Sequence, residues 1–525
     1  MSKKTTKKNK KQKPEMEKQE TKKIKSNSGI EDFFSNKYNM GFLIVIAFTL
    51  WSRLKFFHIE STWIDAYSYY LWGGYNMIYN HVITSEVIRT FSYMPSLAIG
   101  IISLFSDGWI AGKIMNLLYA IVGITYIYFL GREIKDEKVG LFSALMLSCN
   151  YLFFFLSTRL IADVPMTTMY IVFAYYFLKF EKEKTTRSAL YLSAVMIMTV
   201  LTKMTGLLIY GIFIVYYLMY YRLKILSLLK EKRIQIVVFI NIVLVSLVLL
   251  FAQVKTNFIQ FMLVNSKGAI FTFGKFFYPK EFLTFLGIYL LPFLLIGFYL
   301  VFKTTKKKKE LYLLFSWMSV YLVIYTFFMA ETVSRYLMPL LPAMILLVTY
   351  TLFSITKNKY INFGFIILIL FSCFQSYNMG EGIILSKEYS YIGHKGAGEW
   401  MEKNIEKNAI VFTGSQTSTR FFLRNHLVDS ATQTKTLPKN LTELAKEAEK
   451  YNSNNIPVYV QIDAWEYTQP SWAYPFFNQE FGGKIKKIEE NNFTIATGIE
   501  KELPTEQGLM KNSVVLIFKY EHNIK

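Results

Sequence analysis

The chain has 525 residues, 53% of them hydrophobic and 17% aromatic, with 18% charged against about 25% in an average soluble domain. Apolar runs of about 20 residues recur, each long enough to cross a hydrocarbon core about 30 Å thick, which excludes an ordinary soluble enzyme. The net charge of +22 does not mark a nucleic-acid binder, because residues 381–525 hold 17 basic and 18 acidic side chains and the whole excess lies in residues 1–380, which carry the apolar runs.

Residues 1–38 form a Lys-rich tail with almost no large apolar side chains, a composition that cannot offset the entropy of ordering, and disorder is expected there. Apolar runs follow at about 41–57, 109–130, 139–156, 164–180, 188–202, 205–221, 234–253, 282–302, 311–329, 337–355 and 361–380. They lack the period-2 alternation of barrel strands, and backbone groups in lipid must be paired within the segment, so about eleven transmembrane helices are expected over 39–380. Lys and Arg concentrate in the tail and in 131–138, 181–188, 222–233, 303–309 and 356–360, which all fall on one side when the N-terminus is cytoplasmic. The expected localisation is therefore a multi-pass cell-membrane protein with its C-terminal region outside the cytoplasm.

Two long outer loops result. The first, 58–108, holds one basic residue, Arg89, among Trp63, Tyr67, Tyr69, Tyr70, Trp72, Tyr75 and Tyr79, and suits one or two helices lying along the interface. The second, 254–281, mixes lysines with Phe271, Phe273, Phe276, Phe277 and Tyr278. After residue 380 the texture becomes that of a small extracytoplasmic α/β domain over 381–525. Helices are expected at 398–407 and 441–451, with strands at 409–413, 456–462 and 514–518. Its aromatic stretch from Trp465 to Phe477 suits loop or core packing better than stacking on sugar rings.

Two cysteines, Cys149 and Cys373, lie inside apolar runs, and the five histidines show no ligand spacing, so no metal site and no cofactor are expected; a divalent cation is not indicated. Chemistry is sought instead in ionisable residues at the outer ends of spans, where their cost marks function by default. These are Asp65, Asp163 with Arg159 four residues earlier, Lys203 and Arg335. Carboxylates and cations around one aromatic-walled cavity suit a reaction in which a base activates a hydroxyl while fixed cations hold a phosphate leaving group. The bland alternative is an i,i+4 helix pair between Arg159 and Asp163, with Lys203 and Arg335 reaching toward headgroups.

The order Arg53, Asp65, Tyr93-Met94-Pro95-Ser96-Leu97, Lys113 to Leu118, Gly131-Arg132, Gly140 to Leu145, Arg159 to Asp163, Leu201-Thr202-Lys203 and Ser334 to Pro342 resembles the GT-C glycosyltransferases. It is most similar to their branch of protein O-mannosyltransferases and lipid A aminoarabinose transferases. The chain departs from that branch at Ala66, where many members carry an acidic residue, and lacks the Trp-Trp-Asp motif of oligosaccharyltransferase catalytic subunits. The resemblance implies an inverting transferase that moves one sugar from a polyprenyl- or dolichyl-phosphate donor to a protein, lipid or glycan acceptor at the outer membrane interface. It further implies Asp65 as catalytic base, Asp163 as acceptor-positioning or shared catalytic group, and Lys203, Arg335, Arg89 and Arg159 as donor-phosphate ligands. A transporter or flippase of a lipid-linked sugar precursor is the alternative, and the gathering of charges at one face rather than at mid-membrane weighs against it.

Overall fold

The computed structural model describes residues 34–59, 66–222, 228, 230–261, 277–303, 308–328, 332–390, 392–464, 469–473, 481–505 and 508–521. Asp65, most of the N-terminal tail, residues 262–276 of the second outer loop and most of the 465–477 aromatic stretch lie outside them.

The protein is a mostly helical, multi-pass membrane protein with a small C-terminal sheet. Every apolar run read from the sequence lies in a helix or a broken helix pair. Six helices among the described residues are long and apolar enough to cross a membrane by themselves, or seven if one bent pair counts as a span.

The breaks have local causes. The run expected at 139–156 divides into Glu137–Cys149 and Tyr151–Ser157, bent by 63°. At the junction the Asn150 side chain accepts hydrogen bonds from the Leu152 and Phe153 amides, so it caps a new helix instead of continuing the old one. The run at 282–302 divides at Gly287, whose φ of +82° suits glycine, into Phe277–Thr284 and Leu291–Lys303. Pro339 lies inside a short 3-10 segment, Ser334–Leu340, and Pro342 sits in the first turn of Leu341–Ile355 where no amide is needed.

Burial sorts the spans. The Ser334–Ile355 window is 89% buried and forms the centre of the bundle, whereas Lys232–Thr256 and Lys359–Ser386 are 17% buried and turn most of their apolar surface outward. Helix Asp163–Glu183 has 21 residues, hence a length of roughly 30 Å, one hydrocarbon thickness. Glu181 at one end is satisfied by the Tyr217 and Tyr221 hydroxyls at 2.7 and 2.8 Å and by Lys309 at 3.1 Å, and Asp163 begins the other end.

The aromatic first loop is richer than the one or two helices expected. Among its described residues it forms a π-helical turn Ala66–Leu71 that continues into Trp72–Tyr79, then Ser85–Thr90 and Tyr93–Ile102. Trp72–Tyr79 crosses Tyr93–Ile102 at glycines: a Cβ on Gly100 would sit 2.5 Å from the Gly74 carbonyl oxygen. Ser96 then donates to the Tyr69 carbonyl at 2.7 Å and ties the π turn to the second helix.

In the C-terminal region β1 (Ile410–Thr413), β2 (Thr434–Thr436), β3 (Val458–Asp463), β4 (Phe493–Thr505) and β5 (Gly508–Tyr520) form one sheet in the order β2-β1-β3-β5-β4. β1 runs parallel to β2 and β3, and β5 antiparallel to β3 and β4. β1 and β3 are buried along their whole length, as expected for strands covered on both faces. The expected helix at 441–451 is present as Leu441–Asn452, capped by Asn440, and that at 398–407 begins earlier, as His394–Asn404. Strands β2 and β4 have no counterpart in the sequence reading.

Candidate active site

Asp163 opens its helix, where a carboxylate is favoured by the unpaired amides and the positive end of the helix dipole. Lys203 arrives from a different break. Helix Thr186–Val200 stops short, Lys203 is extended, and the chain re-enters a helical path through Met204–Leu207. Gly206 allows this tight return, since a Cβ there would lie 2.3 Å from the Thr199 carbonyl oxygen. The result is an ion pair of 2.7 Å between Lys203 Nζ and Asp163 Oδ1, with the carboxylate side chain 3% exposed and the lysine 23%.

One carboxylate oxygen is left over. Asp163 Oδ2 is buried and takes no hydrogen bond among the described residues, an expensive state for an ionised oxygen unless a donor arrives from outside the chain. Around the pair stands a wall of aromatic side chains. Lys203 Nζ lies 5.5 Å from the centre of the Tyr336 ring, and the Arg335 guanidinium stands at the same distance, so the two cations share one aromatic ring. Tyr336 meets Tyr325, which stacks on Tyr321, and Tyr321 meets Tyr170 edge-on. The Tyr170 hydroxyl donates to the Thr205 carbonyl at 2.8 Å, closing the wall behind Lys203.

The other candidates are placed differently. Arg159 does not form a helix pair with Asp163, because the helix before it ends at Ser157 and the next begins at Asp163. Its guanidinium donates to the Ile384 carbonyl at 3.4 Å and lies over Phe155, while its own carbonyl accepts from Asn116. Arg89 stands over Phe261 at 5.3 Å, with Nε buried and no hydrogen-bond partner among the described residues. The helix that carries Arg89 packs beside Lys203's turn, through Ile88 and Phe91 against Val200 and Met204. Asp65 lies outside the described residues, with described segments on either side. Before it, Lys113 donates to the Phe57 carbonyl at 2.5 Å and to the Ile59 carbonyl; after it, Tyr67 is buried against Trp109.

Two features escaped the sequence reading. The tyrosine wall had no signal beyond the i,i+4 spacing of Tyr321 and Tyr325. The C-terminal region also reaches the first loop, since His394, Phe421 and Phe422 all pack on Tyr67. Among the described residues no three His, Cys, Asp or Glu side chains converge. Asp163 already holds an ammonium at 2.7 Å, so the described side chains do not form a divalent-cation ligand set.

The fold has counterparts among solved structures. The chain is similar to ArnT from Cupriavidus metallidurans bound to undecaprenyl phosphate, with a TM-score of 0.65 at 11% identity over 91% of this chain and 97% of that one. It is similar to the archaeal oligosaccharyltransferase AglB from Archaeoglobus fulgidus in complex with an inhibitory peptide and a dolichol-phosphate, with a TM-score of 0.51 at 13% identity over 90% and 74%. The arabinofuranosyltransferase AftD from Mycobacteria gives 0.54 at 10% identity over 92% and 41%. The fold is that of the GT-C membrane glycosyltransferases.

Within that fold, residues 93–251 match the family model described as dolichyl-phosphate-mannose-protein mannosyltransferase. The matched segment carries Arg159, Asp163 and Lys203. No curated protein matches the chain by sequence.

Proposed function

We propose that the chain transfers a single sugar from a polyprenyl-phosphate donor to a hydroxyl of a protein, lipid or glycan acceptor on the extracytoplasmic face, with inversion at the anomeric carbon. The observation that carries this reading is the buried Asp163–Lys203 pair with its open carboxylate oxygen, beside Arg335 at the aromatic wall. The fold and the mannosyltransferase match of 93–251 support it.

In this reading Asp65 removes the acceptor proton as the acceptor oxygen attacks the anomeric carbon. The bond from that carbon to the phosphate oxygen breaks on the opposite face, and the lipid phosphate leaves as an anion. A phosphate leaving group needs charge neutralisation rather than protonation, so fixed cations suffice. Lys203 and Arg335 supply that charge, with Arg89 at the edge of the site, and Arg159 braces the turn before Asp163. The free oxygen of Asp163 accepts a hydrogen bond from the acceptor and orients it. A cytoplasmic N-terminus, with the C-terminal region outside, completes the proposal.

The test is steady-state kinetics on purified protein in nanodiscs. Lys203→Ala and Arg335→Ala are expected to raise KM for the lipid donor and lower kcat by at least about tenfold each, leaving acceptor KM near wild type. A rise confined to the acceptor KM contradicts the phosphate assignment.

A further inference from the structure

A second, polar cavity of about 160 Å³ lies where the first outer loop meets the C-terminal region. Leu71, Tyr75, Tyr79 and Ile99 form one wall, Ser103, Ser106, Asp107 and Gly108 the next, and Phe421, Arg424 and Asn425 close it from the C-terminal side. The volume is that of roughly five water molecules at ~30 Å³ each, the size of one pyranose ring.

Several of its polar groups serve the fold, since Tyr75 Oη donates to Asn425 Oδ1 at 3.3 Å, Tyr79 Oη to the Ser103 carbonyl at 3.3 Å, and Ser103 and Ser106 to backbone carbonyls, but its two charged groups keep capacity to spare. Asp107 occupies the N-cap of the long helix Gly108–Ile134, yet its carboxylate makes no capping hydrogen bond. Arg424 gives one nitrogen to the Phe421 carbonyl at 2.6 Å and lies over the rings of Tyr75 and Phe421, while its Nε is buried with no hydrogen-bond partner among the described residues. Burial lowers the Arg424 pKa from its ordinary value, and Asp107 is the main charge opposing that shift. Tyr75 stacks on Trp72 and Tyr79, which makes a rigid aromatic platform beside these groups. Gly108 lets the Phe421 ring close the floor, since a Cβ there would meet Phe421 Cζ at 2.9 Å.

We propose that this cavity is a sugar subsite that holds one neutral pyranose of an acceptor glycan, with Asp107 and Asn425 taking hydroxyl protons and Arg424 donating to ring or hydroxyl oxygens. A polyol both gives and accepts hydrogen bonds, which matches a wall with a carboxylate left out of the helix cap and a guanidinium nitrogen with no partner among the described residues; a phosphate anion would be repelled by Asp107. The π turn Ala66–Leu71 and the helix bearing Tyr75 are continuous, so the cavity is lined by the element that follows the proposed base in sequence. The role as an acceptor subsite rests on the transferase reading, whereas sugar binding does not.

The test is saturation-transfer NMR on the full chain in nanodiscs, without donor, using methyl α-mannopyranoside, methyl β-glucopyranoside and methyl β-galactopyranoside as probes and inorganic phosphate as competitor. Saturable binding of at least one glycoside is expected, weakened at least tenfold in Asp107→Asn and Arg424→Gln and abolished in Ser106→Phe. Thermal unfolding of each variant reports folding, and the mild Asp107→Asn keeps the test open should Ser106→Phe misfold. Absence of saturable binding to the wild type, binding unchanged in folded Asp107→Asn and Arg424→Gln, or displacement by phosphate overturns the proposal. Saturable binding sensitive to these variants in a protein that transfers no sugar upholds the subsite and removes the transferase reading instead.

Discussion

At the scale of residues, the central object is a carboxylate with one oxygen paired and one oxygen open. Removing the Lys203 ammonium alone strands a nearly fully buried charge, a change that costs about 3–5 kcal/mol in comparable buried pairs. Lys203→Ala is therefore expected to lower stability by about 3 kcal/mol. The double variant Asp163→Asn with Lys203→Gln removes both charges and keeps a hydrogen bond, so it should return to within about 1 kcal/mol of wild type while transfer stays at least about 100-fold reduced. Chemical unfolding beside a transfer assay separates the two; a stable double variant with full activity makes the pair structural only. Asp163, Lys203 and Arg335 could be singled out in the sequence because charge in an apolar context is costly wherever it falls. Their partners could not be read there. The i,i+4 spacing of Arg159 and Asp163 suggests a pair on one helix, yet the helix stops at Ser157, and Asp163 bonds instead to a residue 40 positions away.

At the scale of elements, the breaks matter more than the helices. Asn150, Gly287 and Pro339 interrupt runs whose hydropathy is continuous, and hydropathy averages over such single residues, whereas Lys203 falls between two runs that were read separately. The apolar runs were therefore legible and their bends were not. The first outer loop depends on a close crossing of Trp72–Tyr79 and Tyr93–Ile102, where a Cβ on Gly100 would press on the Gly74 carbonyl and on Ile78 at 2.5 Å. Gly100→Ala is expected to destabilise by about 1–3 kcal/mol and to depress kcat, although the residue carries no chemistry. Thermal unfolding and turnover measured on the same preparation check this, and unchanged values for both would show that the two helices can part without consequence. Strands β2 and β4 were missed for a related reason. β2 is three residues long, and β4 carries a register irregularity between Ile495 and Thr497 that interrupts the alternation a strand should show.

At the scale of the whole molecule, sorted charge and sorted chemistry agree. The basic loops that set the expected orientation lie with the Glu181 end of the Asp163–Glu183 helix, through Arg233 and Lys309, and the candidate site lies at the other end. The C-terminal sheet reaches that end too, by way of Phe421, Phe422 and His394 on Tyr67, a junction no local pattern could reveal because its halves are more than 300 residues apart in the chain. Orientation can be read directly. Ser453→Cys, just past the exposed end of helix Leu441–Asn452, should react with a membrane-impermeant maleimide on intact cells, and Ser28→Cys should react only after lysis. The two native cysteines are buried and give a low background. The reverse labelling pattern would place the proposed chemistry on the cytoplasmic face and undo the topology.

The most direct test of the account follows the anomeric carbon. Purified protein in nanodiscs, given an α- or β-anomerically defined polyprenyl-phosphate sugar and an acceptor, should release one polyprenyl phosphate per glycosidic bond formed, with product of inverted configuration. Asp65→Asn should reduce that rate by at least about 1,000-fold while the protein remains folded. Retained configuration, movement of the lipid-linked sugar across the bilayer with no new glycosidic bond, or full activity in Asp65→Asn would contradict it.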